Sequence, residues 1–558
     1  MACAVLDHVP RTIRPGVWAI ALIVVASVAT WMRWFPGDRS RPRTFIRRDE
    51  TQYTIPACRF LHGEFAVREF INPTLEASVV AGATAVVGGI RRLVHMDPSF
   101  DCFLARETFA PYVLVRCGRI LSILASVAST WVIARIGRRL FSPTVGVFAG
   151  LLLAVDGVAA NSAPICGNES MMVLLGLLAV DVAIRGDSLR RRIASGLLLG
   201  LAVATKYSVG VLALPLLVAF GLRVVPAALA AVAGFAVGCP TALANFREFI
   251  AGFSTQARYL HAGYLGESLP PGDSGYAEYV RTFSMHAGGA LAVFCGAAVC
   301  ASVVAWIVRR RRAHAIALSS SLPLYLYLGS GAFVQPRFLL PAVPFVLLLG
   351  GWLLELLLER VPALRSRPAA LLVTGMSLLA AAAAPASLET RAFLRRNYGD
   401  PDPKAALLAE IEPAMAGRAH VAELAIPVES RLLLPSDPWD EFGLPPPDTN
   451  CLRFVREWSE AHGLQPTSTS LVRFVGSSRT LADLQENLRN AGIDAILVVV
   501  PTGPLVAEHR VVAPHETALR ECPYWSQLLD WLASMPRTAT RLSPHHRLTA
   551  ALLSPDLR

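Results

Sequence analysis

Charge is scarce in this 558-residue chain: Asp, Glu, Lys and Arg make up 17% of it, whereas soluble domains carry about a quarter. Lysine is almost absent, since only Lys206 and Lys404 occur among the 52 cationic residues. The sequence also lacks a zinc-ligand spacing, a Walker loop, a nucleophile elbow and a dinucleotide fingerprint. With 54% apolar residues and a mean hydropathy of +0.47, the composition excludes a disordered protein, a small secreted scaffold and a soluble enzyme. It predicts a polytopic membrane protein.

Uncharged apolar windows long enough to cross a bilayer recur along the first 388 residues. The first, residues 15–32, ends beside Trp31, Trp34 and Phe35, and we interpret it as an uncleaved membrane anchor. Two shorter windows become spans when their flanking residues are included, so the pattern predicts about 11 transmembrane helices. The further windows are 120–134, 140–155, 170–180, 193–205, 207–222, 224–246, 282–308, 313–336, 338–354 and 368–388.

Arginines between these windows predict the orientation of the chain. They gather in alternate short loops, whereas only Lys206 and Arg337 lie near the opposite short turns. We therefore expect a multi-pass protein of the inner or plasma membrane with a cytoplasmic N-terminus. Because the positive charge follows this pattern, the net charge of +11 does not predict a nucleic-acid partner. The arginine-rich loops are 135–139, 185–192, 223, 309–312 and 360–367.

Three long segments then lie on the outer face. They are a first outer loop at 36–112, a mobile outer loop at 247–281, and an extracytoplasmic α/β domain at 389–558. In this domain, residues 481–491 are typical of a helix and residues 493–500 of a buried strand. The remainder of 1–388 forms the transmembrane module. The sequence does not decide whether the outer cysteines form disulfides or remain free thiols. The candidate pairs are Cys58 with Cys102 in the loop and Cys451 with Cys522 in the domain.

Acidic residues near the outer ends of the spans are the first candidates for a site. Asp49 and Glu50 form an adjacent pair shortly after the first span, with several arginines nearby that favour their ionised forms. Glu169 closes the short turn 161–169. The alternatives are a solvated, salt-bridged loop for the pair and a favourable helix-dipole charge for Glu169.

Cations at the same membrane face are the second set of candidates. Lys206 is notable because the chain uses arginine almost everywhere else, and a lysine binds phosphate as a point charge. Each of these side chains has the alternative of reaching to the membrane interface or pairing with an acid. Other residues, on the predicted mobile loop, are expected either to close over a sugar or to be simply solvated. The phosphate candidates are Lys206, Arg119 and Arg337, and the loop candidates are Arg258, His261 and Tyr264.

Short motifs carry a resemblance to a known family. Four motifs follow one another along the chain. They are the Asp49–Glu50 pair after the first span, the Arg-x-x-Ser start at Arg119, the segment 200–207 (Gly-Leu-Ala-x-x-Thr-Lys-Tyr) and the segment 337–344 (Arg-Phe-Leu-Leu-Pro-x-x-Pro). The chain thereby resembles the GT-C superfamily of polyprenyl-phosphate-sugar-dependent glycosyltransferases. It is most similar to family 39, with its protein O-mannosyltransferases and lipid A aminoarabinose transferases. Gln335 departs from relatives that carry a charged residue before Arg-Phe.

The resemblance covers about residues 15–388 and implies a GT-C-like helical fold. It implies a lipid-linked sugar as donor substrate and a glycan, lipid or protein as acceptor, whereas a divalent metal is left open. Asp49 is implied to act on the acceptor with Glu50 beside it, and Glu169 corresponds to a second acid. The implied donor-phosphate residues are Lys206, Arg119 and Arg337.

The lipid phosphate that leaves the donor sugar is a stable anion, so cations and one proton-accepting carboxylate suffice and a single displacement with inversion is expected. A glycosidase would need two carboxylates across the bond. The alternatives are a ligase or polymerase of the O-antigen type using a lipid diphosphate, a lipid or sugar transporter or flippase, and a non-catalytic assembly subunit. No metal-ligand set is found in the sequence.

Overall fold

The computed structural model describes most of the membrane module and parts of the C-terminal region. The described residues are 15–34, 50–65, 70, 72–262, 269–270, 272–398, 411, 413, 415, 421–425, 444, 447–461, 468–470, 478–501, 525–535, 537–543 and 548–553. All structural statements below concern these residues.

Helices dominate the described residues, as the apolar windows predict. In chain order the α-helices are α1 (Pro15–Arg33), α2 (Thr51–Leu61), α3 (Leu75–Leu93), α4 (Phe100–Phe109), α5 (Tyr112–Leu140), α6 (Pro143–Val155), α7 (Gly157–Ser162), α8 (Glu169–Ala183), α9 (Leu189–Val203), α10 (Ala213–Phe220), α11 (Val225–Gly238), α12 (Pro240–Ala244), α13 (Phe246–Ala262), α14 (Gly275–Ala287), α15 (Gly289–Arg309), α16 (Arg312–Gly329), α17 (Val343–Leu358), α18 (Pro362–Arg365), α19 (Pro368–Tyr398), α20 (Thr449–Ala461), α21 (Leu481–Asn490) and α22 (Trp525–Ser534). The 3₁₀ helices are Tyr207–Leu212, Gly221–Val224 and Pro336–Leu339.

Two compact units make up the chain. The first unit is Met1–Trp34, Ala66–Glu76 and Arg119–Phe393, and the second is Phe35–Phe65, Ala77–Gly118 and Leu394–Arg558. The second unit therefore combines most of the predicted first outer loop with the C-terminal region. The predicted boundary at residue 388 stays a prediction.

The first unit consists mainly of long apolar helices. Five segments of the described chain are long and apolar enough to cross a membrane, and two shorter apolar helices, α6 and α17, accompany them. The predicted total of about 11 crossings stays a prediction. The five segments are Pro15–Arg33, Tyr112–Leu140, Tyr207–Gly238, Gly289–Arg309 and Pro368–Arg395.

Small residues allow close helix packing in this unit. A Cβ atom added at Gly196 or Gly200 of α9 would collide with the backbone of α11 at Ala227 or Ala231. Close backbone approach at glycine is typical of helix pairs in membranes, where dispersion contacts replace the hydrophobic effect as a driving force. Lys206 lies just after the end of α9, so this helix packing leads directly to it in the chain.

Arg33 is a fully buried cation that the sequence does not single out. Its guanidinium, at the end of α1, donates to the carbonyl oxygens of Ala154 (2.5 Å) and Leu153 (2.6 Å) and to Ser126 Oγ (2.8 Å). The last carbonyls of a helix carry partial negative charge and have no partner within the helix. Arg33 thus joins the ends of α1 and α6 to the middle of α5, next to the turn that leads to the candidate site.

In the second unit, a mixed sheet is formed by β1 (Val421–Ala425), β2 (Ser468–Ser470), β3 (Ala495–Pro501), β4 (Arg537–Ser543) and β5 (Leu548–Leu553). The strand order is β2-β1-β3-β5-β4. Strands β2, β1 and β3 are parallel to one another, and β5 is antiparallel to both of its neighbours, β3 and β4. The predicted helix at 481–491 and the predicted buried strand at 493–500 correspond to α21 and β3. Burial of Ala495, Ile496 and Leu497 explains the continuous apolar run.

The segment predicted as a mobile outer loop, 247–281, is largely helical, so that prediction is wrong. Helices α13 and α14 cover most of it. Phe249 and Leu260 lie on α13 at helical spacing and pack inward, while the Gly and Pro residues that suggested a loop are concentrated after residue 262. Composition averaged over the whole segment concealed this division.

The disulfide pairing also differs from the within-segment pairs considered above. Cys102 of α4 is bonded to Cys451 of α20, with a Cα–Cα distance of 4.6 Å, and these two helices pack together within the second unit. Cys58 is a buried free thiol near Thr108 Oγ1 (3.4 Å), whereas Cys522 lies outside the described residues. The bond therefore joins the first loop to the C-terminal region, a connection that no local spacing reveals.

Loss of this disulfide should destabilise the second unit. We expect Cys102→Ser with Cys451→Ser to lower the free energy of unfolding by about 2–5 kcal/mol, because a long closed loop is released in the unfolded chain. Non-reducing peptide mapping should recover the crosslinked peptides from the wild type. The matched control is Cys58→Ser, which should leave the crosslink intact. Recovery of a Cys58–Cys102 peptide as the main species would contradict the pairing.

Candidate active site

Three residues far apart in sequence meet in the first unit. Glu169 is the first residue of α8, Lys206 lies between α9 and the following 3₁₀ helix, and Arg337 lies in the 3₁₀ helix before α17. Lys206 Nζ is 2.9 Å from Glu169 Oε1, and Arg337 Nε is 3.6 Å from the same oxygen. The structure thus brings together three of the residues that the sequence selected at separate span ends.

The turns that carry Glu169 and Lys206 are joined by a buried amide. Asn168 Nδ2 donates to the carbonyl oxygen of Thr205 (2.6 Å) and to Asn72 Oδ1 (3.2 Å). Asn168 directly precedes Glu169, and Thr205 directly precedes Lys206. This contact therefore holds the two charged residues next to each other. The segment before α3 joins them through Asn72.

The two cations govern the ionisation of Glu169. Burial alone would raise the pKa of this carboxyl, but the charges of Lys206 and Arg337 outweigh it and lower the pKa to about 2. Glu169 is therefore ionised throughout the neutral range. A carboxylate with so low a pKa is a weak base. Glu169 is therefore better suited to hold the two cations in place than to accept a proton.

Lys206 also borders an open cavity of about 320 Å³. Its Nζ lies 4.9 Å from the centre of the Phe338 ring, a cation–π distance. The other walls are mainly apolar and aromatic, with Asn72, Ser208 and Gln256 as polar exceptions. One end of the cavity can thus bind an anion while the rest accommodates a hydrocarbon chain. Its aromatic lining consists of Tyr207, Phe253, Tyr327, Phe333 and Phe338.

Glu76 is an acid of this region that sequence reasoning missed. It is fully buried in the first turn of α3, and neither of its carboxylate oxygens has a hydrogen-bond partner among the described residues. Leu75 N–H donates to the carbonyl oxygen of Ala204 (3.1 Å), which fixes this turn two residues from Lys206. Burial and then the charge of Glu169 raise the pKa of Glu76 to about 8. Its sequence signal was only an acid following the turn at 72–74.

A neutral substitute for Glu76 should stabilise the protein at alkaline pH. A folded-state pKa near 8 against an ordinary value near 4.5 means that the folded form holds a proton that the unfolded form has lost. Wild-type stability should therefore fall as the pH rises from about 5 to 8. We expect Glu76→Gln to raise the melting temperature by roughly 5 °C at pH 8 and little at pH 5. Glu248→Gln, at an exposed acid, is the control, and equal shifts at both pH values would contradict the assignment.

The remaining acid candidates are only partly described. Asp49 lies outside the described residues, and its role stays a prediction. Glu50 is buried directly before α2, in the second unit. Arg119 is buried in α5 of the first unit, so it is not a side chain extended into solvent. Catalytic and phosphate-binding roles for these residues are taken up below as proposals.

The loop candidates lie on a helix rather than on a mobile loop. Arg258 and His261 are exposed residues of α13, where Arg258 donates to Thr255 Oγ1 (3.2 Å). The His261 ring lies 6.4 Å from the ring of Tyr327, which lines the cavity. Tyr264 lies outside the described residues. Among the residues that the structure describes, no group of three or more His, Cys, Asp or Glu side chains is arranged to hold a metal ion.

Comparison with known sequences connects this site to an enzyme class. Residues 115–240, which include Arg119, Glu169 and Lys206, match the family model of dolichyl-phosphate-mannose-protein mannosyltransferases. No curated protein sequence matches the chain.

Solved structures share the fold at low sequence identity. The oligosaccharyltransferase of Archaeoglobus fulgidus in the apo form is 11% identical with a TM-score of 0.53, over 90% of this chain and 72% of that one. ArnT from Cupriavidus metallidurans bound to undecaprenyl phosphate is 15% identical with a TM-score of 0.51, over 98% and 99%. Archaeal AglB from A. fulgidus, in complex with an inhibitory peptide and a dolichol-phosphate, is 10% identical with a TM-score of 0.53, over 96% and 74%.

These likenesses show a mostly helical GT-C membrane fold, and the family-model match adds the enzyme class. Over residues 115–240 the chain thus matches a glycosyltransferase family, and its fold is that of the GT-C enzymes named above. The resemblance found in its short motifs is thereby confirmed.

Proposed function

We propose that the protein transfers a sugar from a polyprenyl-phosphate-linked donor to a hydroxyl or amine acceptor at the outer face of the membrane, with inversion at the sugar carbon. The observation that carries the proposal is the pair of cations, Lys206 and Arg337, on one buried carboxylate beside an apolar cavity. A lipid phosphate needs this combination of neighbouring positive charge and hydrocarbon-binding surface.

The chemistry of the leaving group accounts for the cations. As the bond between the anomeric carbon and the phosphate oxygen breaks, a phosphodiester becomes a monoester and gains negative charge. Lys206 and Arg337 are placed to stabilise that charge, so no general acid is required. Glu169 holds both cations in position before the donor binds, which lowers the cost of reorganisation. Arg119 is a further phosphate-binding or scaffold residue in this proposal.

The acceptor needs a carboxylate that takes its proton while the new bond to the anomeric carbon forms. Glu169 is poorly suited to this role, because its pKa is held near 2. We assign the role to Asp49, with Glu50 beside it, on the resemblance of the pair that follows the first span to that of GT-C enzymes. Arg258, His261 and Tyr264 are proposed as contacts to donor or acceptor sugar.

Lipid carriers in two structural relatives agree with the proposed donor. ArnT was crystallised with undecaprenyl phosphate, and AglB is in complex with a dolichol-phosphate. In this chain the cavity beside Lys206 is lined by side chains such as Phe253 and Leu328 that suit a prenyl chain. We place the N-terminus in the cytoplasm, and residues 389–558 outside it as an α/β domain, because this orientation puts the arginine-rich loops inside.

The experiment is transfer by the purified protein in liposomes from a panel of undecaprenyl-phosphate-linked sugars to cell-envelope extract. Mass spectrometry should show released undecaprenyl phosphate and an acceptor enlarged by one sugar, and NMR of the product should show the inverted anomer. A retained configuration would overturn single displacement. Turnover only with diphosphate donors would favour the ligase or polymerase reading, and counterflow without a covalent product would favour a transporter.

A further inference from the structure

A second basic cluster lies at the other end of α8 from the candidate active site. Asp181 is fully buried, and its carboxylate accepts from the guanidinium groups of Arg135 (2.8 Å), Arg139 and Arg185. Asp181 follows Glu169 by twelve residues on the same helix, which places the two acids about 18 Å apart along its axis. The cluster is therefore separate from the donor site.

One carboxylate cannot satisfy this cluster. Each guanidinium has five N–H donors, whereas Asp181 offers two oxygens. Arg138 adds a fourth cation, 4.7 Å from the Trp18 ring, so four arginines and one aspartate leave a formal charge of +3. The side chains of Arg139 and Arg185 are 34% and 36% exposed and thus accessible to a ligand.

The position of the cluster indicates a membrane interface. Arg135, Arg138 and Arg139 occupy the last two turns of α5, a candidate span. Trp131 is about half exposed and lies 4.8 Å from the Arg135 guanidinium. Tryptophan beside arginine at the end of an apolar helix is typical of the lipid headgroup region.

We propose that this surface binds the headgroup phosphate of an anionic glycerophospholipid. The guanidinium groups that Asp181 holds in place provide planar N–H pairs suited to phosphate oxygens, and the remaining positive charge attracts an anionic headgroup. Trp131 and the apolar surface of α5 lie beside the acyl chains. Asp181 acts here as a positioning residue that holds arginines from α5 and from the turn after α8.

The test uses the full-length protein in detergent, with phosphatidylglycerol, phosphatidylcholine or inorganic phosphate as the probe. Native mass spectrometry should show retained phosphatidylglycerol on the wild type. Arg138→Gln with Arg139→Gln should weaken its binding roughly thirtyfold, since each interfacial arginine contributes about fivefold. Arg138→Lys with Arg139→Lys should stay within about threefold of the wild type, because the charge is kept.

The matched control removes two charges from another exposed basic loop, by Arg310→Gln with Arg312→Gln, and should leave binding within about threefold of the wild type. Arg138→Gln alone, which keeps all three ion pairs of Asp181, should weaken binding roughly fivefold if the double variant does not fold. Equal retention of phosphatidylcholine, competition by inorganic phosphate, or unchanged binding in these glutamine variants would each overturn the proposal. Sugar transfer in phosphatidylcholine liposomes should be unchanged in the Arg138 and Arg139 variants.

Discussion

Lys206→Gln should lower sugar transfer by roughly a hundredfold to a thousandfold, the cost typical of removing one donor that stabilises a developing anion. Glutamine can still donate a hydrogen bond, but it lacks the charge that the departing phosphate requires. The measurement is the rate at which undecaprenyl phosphate is released from a saturating lipid-linked sugar. Most of the loss should appear in kcat, because the extra negative charge on the phosphate develops in the transition state.

A structural explanation of the same loss can be separated from this one. Lys206→Gln leaves Glu169 with Arg337 alone, and a buried acid that loses its partner destabilises a protein by about 3–5 kcal/mol. The double variant Glu169→Gln with Lys206→Gln removes both charges and should melt close to the wild type while remaining inactive. If the double variant recovers half of the wild-type rate, Lys206 serves only to neutralise Glu169, and its assignment to the donor phosphate fails.

Asp49→Asn should lower the rate by roughly a hundredfold or more, because asparagine keeps the size of the side chain but cannot accept the acceptor's proton. The matched control is Glu50→Gln at the adjacent acid, which should retain more activity than Asp49→Asn. Both variants should reach the membrane in wild-type amounts. Near-normal turnover by well-folded Asp49→Asn protein would refute the assignment of the proton acceptor.

The profile of rate against pH distinguishes the two acids of the proposal. Protonation of the proposed acceptor base, Asp49, should give an acidic limb, whereas Glu169, with its pKa lowered to about 2, stays ionised and should give none above that pH. The Glu169→Gln variant should therefore keep the acidic limb at a lower rate. Loss of that limb in Glu169→Gln would show that Glu169 itself takes the proton.

The sequence was informative where a residue type was unusual for its surroundings. Lys206 stood out in a chain that otherwise uses arginine, and Glu169 and Arg337 stood out as charges at the ends of apolar windows. Their meeting at one carboxylate oxygen depends on helix packing, which no spacing encodes. The uncharged apolar windows likewise predict most helices of the first unit.

Residues whose importance arises from long-range burial were missed for the same reason. Arg33 and Glu76 look like ordinary charges beside a span and in a loop, yet both are fully buried in the structure. Proximity in sequence predicts Cys58 as the partner of Cys102, whereas its partner is Cys451. The glycines and prolines that follow helix α13 dominate the composition of the wider segment, which explains why that composition predicts a loop.

The bond between Cys102 and Cys451 has a consequence for biosynthesis. Its cysteines are 349 residues apart, so at 5–20 residues per second the first emerges from the ribosome about 20–70 s before the second. During that interval Cys102 lacks its partner, whereas two free cysteines of the same unit, Cys58 and Cys117, lie closer to it in sequence. We therefore expect correct pairing to depend on early burial of these two thiols in their helices or on an oxidoreductase that reverses a premature bond.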